Sequence, residues 1–103
     1  MTTTHAIRIL RSTAPVHVQA TQSSPGLLVY RLPDTVNIED PYRWRIGHHT
    51  GLAIGIAMSK EDAIAGAAAL ADLADWTQNG VPAPSGRAVA RRLRRHRCYR
   101  AGY

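Results

Sequence analysis

The sequence predicts a small α+β protein in which an antiparallel sheet of three to five strands packs on one long Ala-rich helix, with a basic segment at the C-terminal end. Three observations lead there: short apolar runs with period-two alternation up to residue 57, a capped Ala-rich run directly after them, and seven arginines without an acid from residue 85 onward. A chain of 103 residues has room for one hydrophobic core. The expected organisation is therefore a compact domain over residues 1–84 and an Arg-rich tail over 85–103 that becomes helical when bound.

Residues 5–11 (HAIRILR) and 15–20 (PVHVQA) read as two short strands, since Val16, Val18 and Ala20 alternate with His17 and Gln19. A turn-rich break, 21–26 (TQSSPG), separates them from a third strand, Leu27–Leu32, which Pro33-Asp34 ends. Two prolines, three acids and an Asn make 33–41 a surface loop. Tyr42–His48 and Leu52–Ala57 flank His49-Thr50-Gly51, a spacing that suits a β-hairpin. Alternation then sorts Tyr42, Trp44, Ile46, Leu52, Ile54 and Ile56 to bulky apolar faces, and Arg43, Arg45, Gly47, Ala53, Gly55 and Ala57 to the opposite ones.

Ser59 is a good N-cap, Asp62 stands at the capping-box position, and acids crowd the first turn, so a helix is expected from about Lys60 to about Gln78. Asn79-Gly80 suits its end, and Pro82 and Pro84 prevent continuation. Ile64, Ala67, Ala71 and Ala74, bordered by Ala63 and Leu70, form its core stripe. Leu73 and Trp76 fall off that stripe and either cover a sheet edge or form a protein interface. Residues 85–97 can make a second helix with Val89 and Leu93 on one side, but Arg87/Arg91 and Arg91/Arg95 repel at i, i+4 and the segment is too short to hold alone.

The charge is uneven. Residues 1–84 carry six cations and seven acids, net −1, whereas 85–103 carry +7, which exceeds the whole chain's +6. A GC-rich genome explains why 12 of the 13 cations are Arg, but not this clustering. No apolar run approaches the roughly 20 residues that cross a bilayer. Met1–Ala6 lacks a cationic start and a following apolar run, so a soluble cytoplasmic protein without membrane contact is expected. The single cysteine, Cys98, cannot form an internal disulfide or a Cys-based zinc cage.

Guanidinium groups suit phosphate through paired hydrogen bonds, so Arg87, Arg91, Arg92, Arg94, Arg95, Arg97 and Arg100 are candidate nucleic-acid contacts, with Arg43 and Arg45 as a second set on the hairpin. The alternatives for the tail are a solvated solubility segment and an acidic protein partner. Tyr42 and Trp44 can stack on bases, although alternation assigns them to the core. His48-His49 is no metal site, because neighbours on a strand point to opposite faces and no second ligand pattern accompanies them. Cys98 between Arg97 and Arg100 can favour thiolate, yet lacks a Cys–His arrangement for acyl transfer, and Asp72/Asp75 reads as a solvated helix side. With no phosphate-binding glycine loop and no nucleophile elbow, no enzyme, cofactor or metal is expected.

Residues 59–78 (SKEDAIAGAAALADLADWTQ) and the exit loop NGVPAPS (79–85) resemble HicB-type antitoxins, small proteins whose sheet-plus-helix domain contacts a toxin and which often carry a separate DNA-binding end. The recognisable helix-turn-helix or ribbon-helix-helix end of that family is not matched here. Three strands and a helix are also similar in outline to the arm-type DNA-binding modules of integrases. The leading expectation is a small non-enzymatic nucleic-acid-binding accessory or regulatory protein. The alternative is an interaction module, antitoxin-like or a homodimeric adaptor, using Leu73 and Trp76.

Overall fold

A computed structural model describes residues 2–7, 16–33, 39–79 and 86–101. Among the described residues six strands, β1 (Thr2–Ile7), β2 (Val16–Ser24), β3 (Leu27–Arg31), β4 (Trp44–His48), β5 (Ala53–Ala57) and β6 (Tyr99–Arg100), form one antiparallel sheet in sequential order. The same residues hold two short helices, α1 (Lys60–Leu70, 11 residues) and α2 (Gly86–Arg94, 9 residues). The expected small sheet on one long helix is therefore wrong: the protein is mostly β, and its helical part is split.

The early end of α1 has its cause in the groups that meet it. Ser59 starts α1 as its residue type dictates, with extended backbone and its Oγ accepting from the Asp62 N–H at 3.1 Å. The far end stops at Leu70, eight residues before the expected end, because other groups take its last carbonyls. Trp76 folds back and its indole N–H donates to Leu70 O at 2.8 Å, while Arg92 from α2 donates to Ala69 O at 3.0 Å and pairs with Asp72 at 2.7 Å. Helix C-termini leave carbonyls unpartnered and favour cations. Here the cation comes from another helix.

The face that α1 buries also differs. Ala63, Gly66, Ala67 and Leu70 point inward, whereas Ile64 is 38% exposed. A β-bulge in the hairpin brings small residues to this side: the register shifts between Ile46 opposite Gly55 and Gly47 opposite Ala53, so Ile54 keeps its expected face while Gly55, Ile56 and Ala57 exchange theirs. Ala57 and Gly55 consequently join Trp44 and Ile46 on the helix side, and Ile56 pairs with Arg45. A Cβ on Gly66 would come within 2.7 Å of Cys98 Sγ, and one on Gly55 within 3.2 Å of Leu93 Cδ1, so these two glycines let α1, α2 and the sheet approach closely.

Two apolar clusters result. Leu27, Val29, Ile46 and Ile54 of the sheet pack with Ala67 and Leu70 of α1, with Trp76, and with Val89, Leu93 and Cys98 of the C-terminal segment. On the other face of β1–β3, Ile7, Val18, Ala20, Leu28, Tyr30 and Leu32 form the second. The stretch 21–26 is not a break, since β2 runs through to Ser24 before a tight turn at Pro25-Gly26. Gly26 has φ +84°, and its Cα lies against the Trp76 carbonyl, so only glycine fits. The turn between β4 and β5 comes round to β1: a Cβ on Gly51 would sit 3.3 Å from Ala6 O.

Candidate nucleic-acid interface

Residues 86–101 are built into the fold. Val89 and Leu93 are fully buried, the Cys98 N–H bonds Leu93 O at 3.0 Å, and the Ala101 N–H bonds Ile54 O at 3.0 Å beyond the β5–β6 pairing. With Val89 and Leu93 fixed inward, Arg87, Arg91 and Arg94 at i, i+4 and i+7 share the outward face of α2. Arg95, Arg97 and Arg100 are likewise exposed, and none of these six makes an ion pair with a described residue. Like-charge repulsion within α2 is offset by the two buried side chains beneath it.

Arg97 has a left-handed backbone, φ 59°. It occupies the position after a helix where glycine is favoured, and the reversal there lets the Arg97 N–H reach Arg94 O at 3.3 Å and the Cys98 N–H reach Leu93 O. A non-glycine residue in this conformation costs about 1 kcal/mol. The chain keeps an exposed cation there nonetheless.

Three expected contact residues are engaged elsewhere. Arg92 holds the end of α1, as described. Arg45 pairs with Asp40 at 2.7 Å in a half-buried setting, and Arg43 donates to the carbonyls of Leu32 (3.3 Å) and Pro33. The bulge also turns Gly55 and Ala57 away from the Arg45 side, removing the flat small-residue platform expected beside the two arginines. Trp76, expected at an edge or interface, is 2% exposed in the core, and Leu73 packs partly against it. Trp44 packs on the helix-side core with one side in a groove shared with His17, Arg31 and Lys60.

The chain matches no family model, no curated protein and no solved structure. The reading of the surface therefore rests on its own chemistry. An open groove of about 510 Å³ runs between α2 and the β6 edge, lined by Gly86, Arg87, Ala90, Arg94, Tyr99 and Arg100. Sequence reasoning passed over Tyr99. Its signal was an aromatic residue interleaved with cations in the run Arg97-Cys98-Tyr99-Arg100.

Cys98 is held as an enclosed, neutral thiol. It is fully buried, its thiol donates to Asp62 O at 3.1 Å, and burial first, then the Asp62 charge, push it up to about 11. Among the described residues no group of three or more His, Cys, Asp or Glu could hold a metal, and no helix is long and apolar enough to cross a membrane.

His5 and His48 are the described groups expected to make stability pH-dependent just below neutrality. Both are buried, and both are held below the usual imidazole range, by burial first and His49 second; at His48 a hydrogen bond to the Trp76 backbone opposes part of this. His48 Nδ1 accepts from the Thr50 N–H at 3.3 Å and sits 2.7 Å from its hydroxyl, an arrangement that a neutral ring satisfies. Since the unfolded chain takes up these protons first, their contribution is complete above an unfolded value of 6.5 and is lost as pH falls below it. Melting temperature should drop between pH 7 and 5.5, with up to two protons taken up on unfolding. In a His5→Gln/His48→Gln variant that slope should flatten, and an unchanged slope would assign it to other groups.

Proposed function

We propose that the protein binds nucleic acid through the outward face of α2 and the adjoining β6 edge, with Arg87, Arg91, Arg94, Arg95, Arg97 and Arg100 as phosphate contacts, and that it acts as a non-enzymatic accessory or regulatory factor. One observation carries this reading: six exposed arginines lie within one folded segment with no described acid pairing any of them, and four, Arg87, Arg91, Arg94 and Arg100, line adjoining surfaces of α2 and β6. Preordered guanidinium groups lose less entropy on meeting a phosphate than the same groups on a flexible tail. A solubility segment would not need Val89 and Leu93 in the core or a strained Arg97.

The test is a salt titration of binding to DNA and RNA. With about five phosphates neutralised, log K should fall against log salt with a slope of about −4.5 on duplex DNA, or about −3.5 on a single strand. Arg97→Gly separates binding from folding. Releasing the left-handed strain should raise stability by roughly 0.5–1 kcal/mol, read as a higher melting temperature, while affinity falls. A more stable variant with undiminished affinity would remove Arg97 from the interface.

A further inference from the structure

We infer that the groove beside Trp44 is a nucleotide site, with the base against the indole and the phosphate between Arg31 and Lys60. It shares no lining residue with the grooves along α2, and it does not rest on the reading above. Strand register puts its parts on one surface. Thr4 stands opposite Gln19, Ala6 opposite His17, Thr21 opposite Val29, Val29 opposite Ile46, and Arg31 opposite Trp44. Ladder partners share a face, as do residues two apart along a strand. His17, Gln19, Thr21, Arg31 and Trp44 therefore all lie on the face where Val29 and Ile46 pack with α1.

The helix covers that face only in part. Thr4, Ala6, His17 and Gln19 are exposed on it, whereas His5, Ile7, Val18 and Ala20, on the opposite face of the same two strands, are buried. Where the covered and open parts meet lies a groove of about 400 Å³, within the roughly 300–1,000 Å³ of small-molecule sites. Trp44 is half-buried, held by the core and still bordering the groove. An aromatic ring fixed in this way gives up little entropy when a base stacks on it. Arg31, Lys60 and His17 also border the groove, and no acid among the described residues does. Lys60 stands three residues before Ala63 and seven before Ala67, on the stripe that α1 turns to the sheet, while Glu61 shares the outward side with Ile64 and Ala68. Gln19, bonded to Thr4 Oγ1 at 3.3 Å, and Thr21 add polar groups between the ring and the open sheet. An indole, two permanent cations and hydrogen-bonding side chains match a base, a phosphate and the ribose that joins them.

The deciding experiment follows quenching of tryptophan fluorescence in the full chain by 5′-AMP, with calorimetry for AMP, adenosine, ribose 5-phosphate and inorganic phosphate. Trp76 is only 2% exposed, so Trp44 is the reporter. AMP should bind about tenfold tighter than adenosine or ribose 5-phosphate, a comparison that needs no variant to fold. Arg31→Gln/Lys60→Gln should weaken AMP at least tenfold and leave adenosine unchanged, and Trp44→Phe should remove the quenching while calorimetry still detects AMP. Equal affinity for AMP and inorganic phosphate, undiminished AMP binding in Arg31→Gln/Lys60→Gln, or persistent quenching in Trp44→Phe would overturn the inference. Arg87→Glu/Arg91→Glu/Arg94→Glu keeps it distinct from the α2 reading: AMP affinity should be unchanged there, and its loss would move the nucleotide to α2 and overturn the site. A free nucleotide and one unit of a strand present the same chemistry. In that charge-reversed variant, a six-nucleotide oligoadenylate that quenches Trp44 at lower concentration than AMP assigns the strand, and one that needs a higher concentration assigns the free nucleotide.

Discussion

Leu93→Ala should destabilise the whole protein by about 3 kcal/mol, with one cooperative transition rather than loss of a C-terminal helix alone. Leu93 is fully buried, and its two methyl carbons lie beside Gly55 of the sheet and Gly66 of α1, both positions where a side chain would fill any relief. Truncation therefore leaves a cavity between three elements that glycine backbones cannot close. Small domains have only some 5–15 kcal/mol of net stability, so the variant should melt roughly 10–20 °C lower, as followed by circular dichroism and tryptophan fluorescence together. Trp76 reports on the same core and should move with the helical signal. Separate transitions would mean that residues 86–101 are an appendage.

Arg87→Glu/Arg91→Glu/Arg94→Glu should leave the fold intact and reduce nucleic-acid affinity at least a hundredfold near physiological salt. All three side chains are exposed and none pairs with a described acid, so reversal costs the folded state little: the 87/91 pair stays like-charged, and the 91/95 pair becomes attractive. Loss of three phosphate contacts removes their share of counterion release, and three carboxylates then repel the phosphates. Arg92→Ala belongs to a different class, because Arg92 spans Ala69 O and Asp72 and its loss should appear in stability. For the same reason, cutting the chain after Pro84 is a poor test of binding: it removes Val89, Leu93 and Cys98 from the core.

The sequence placed the start of α1, the hairpin turn and the Val89/Leu93 pair, because each follows from local rules: a cap, a glycine, an i, i+4 spacing. The end of α1 was not readable. It depends on Trp76 folding back onto Leu70 six residues away and on Arg92 reaching across from α2, and neither contact follows from a helical spacing or a cap. The faces of β5 were misread because one bulge shifts every later side chain to the other side, and bulges leave no firm mark in composition. The short β6 strand has only two residues and no period to detect. In the interface, charge showed where the arginines lie but not which are occupied; Arg43, Arg45 and Arg92 differ from the rest only through tertiary partners.

The most direct measurement of the central claim is the salt dependence of nucleic-acid affinity in the wild type and in Arg87→Glu/Arg91→Glu/Arg94→Glu, side by side. If the outward face of α2 holds the phosphates, the slope of log K against log salt should become shallower by about 2.7 on duplex DNA, or about 2.1 on a single strand, while the melting temperature stays within a few degrees. Equal slopes for the two proteins would contradict the account and leave the arginine face without its phosphate partner.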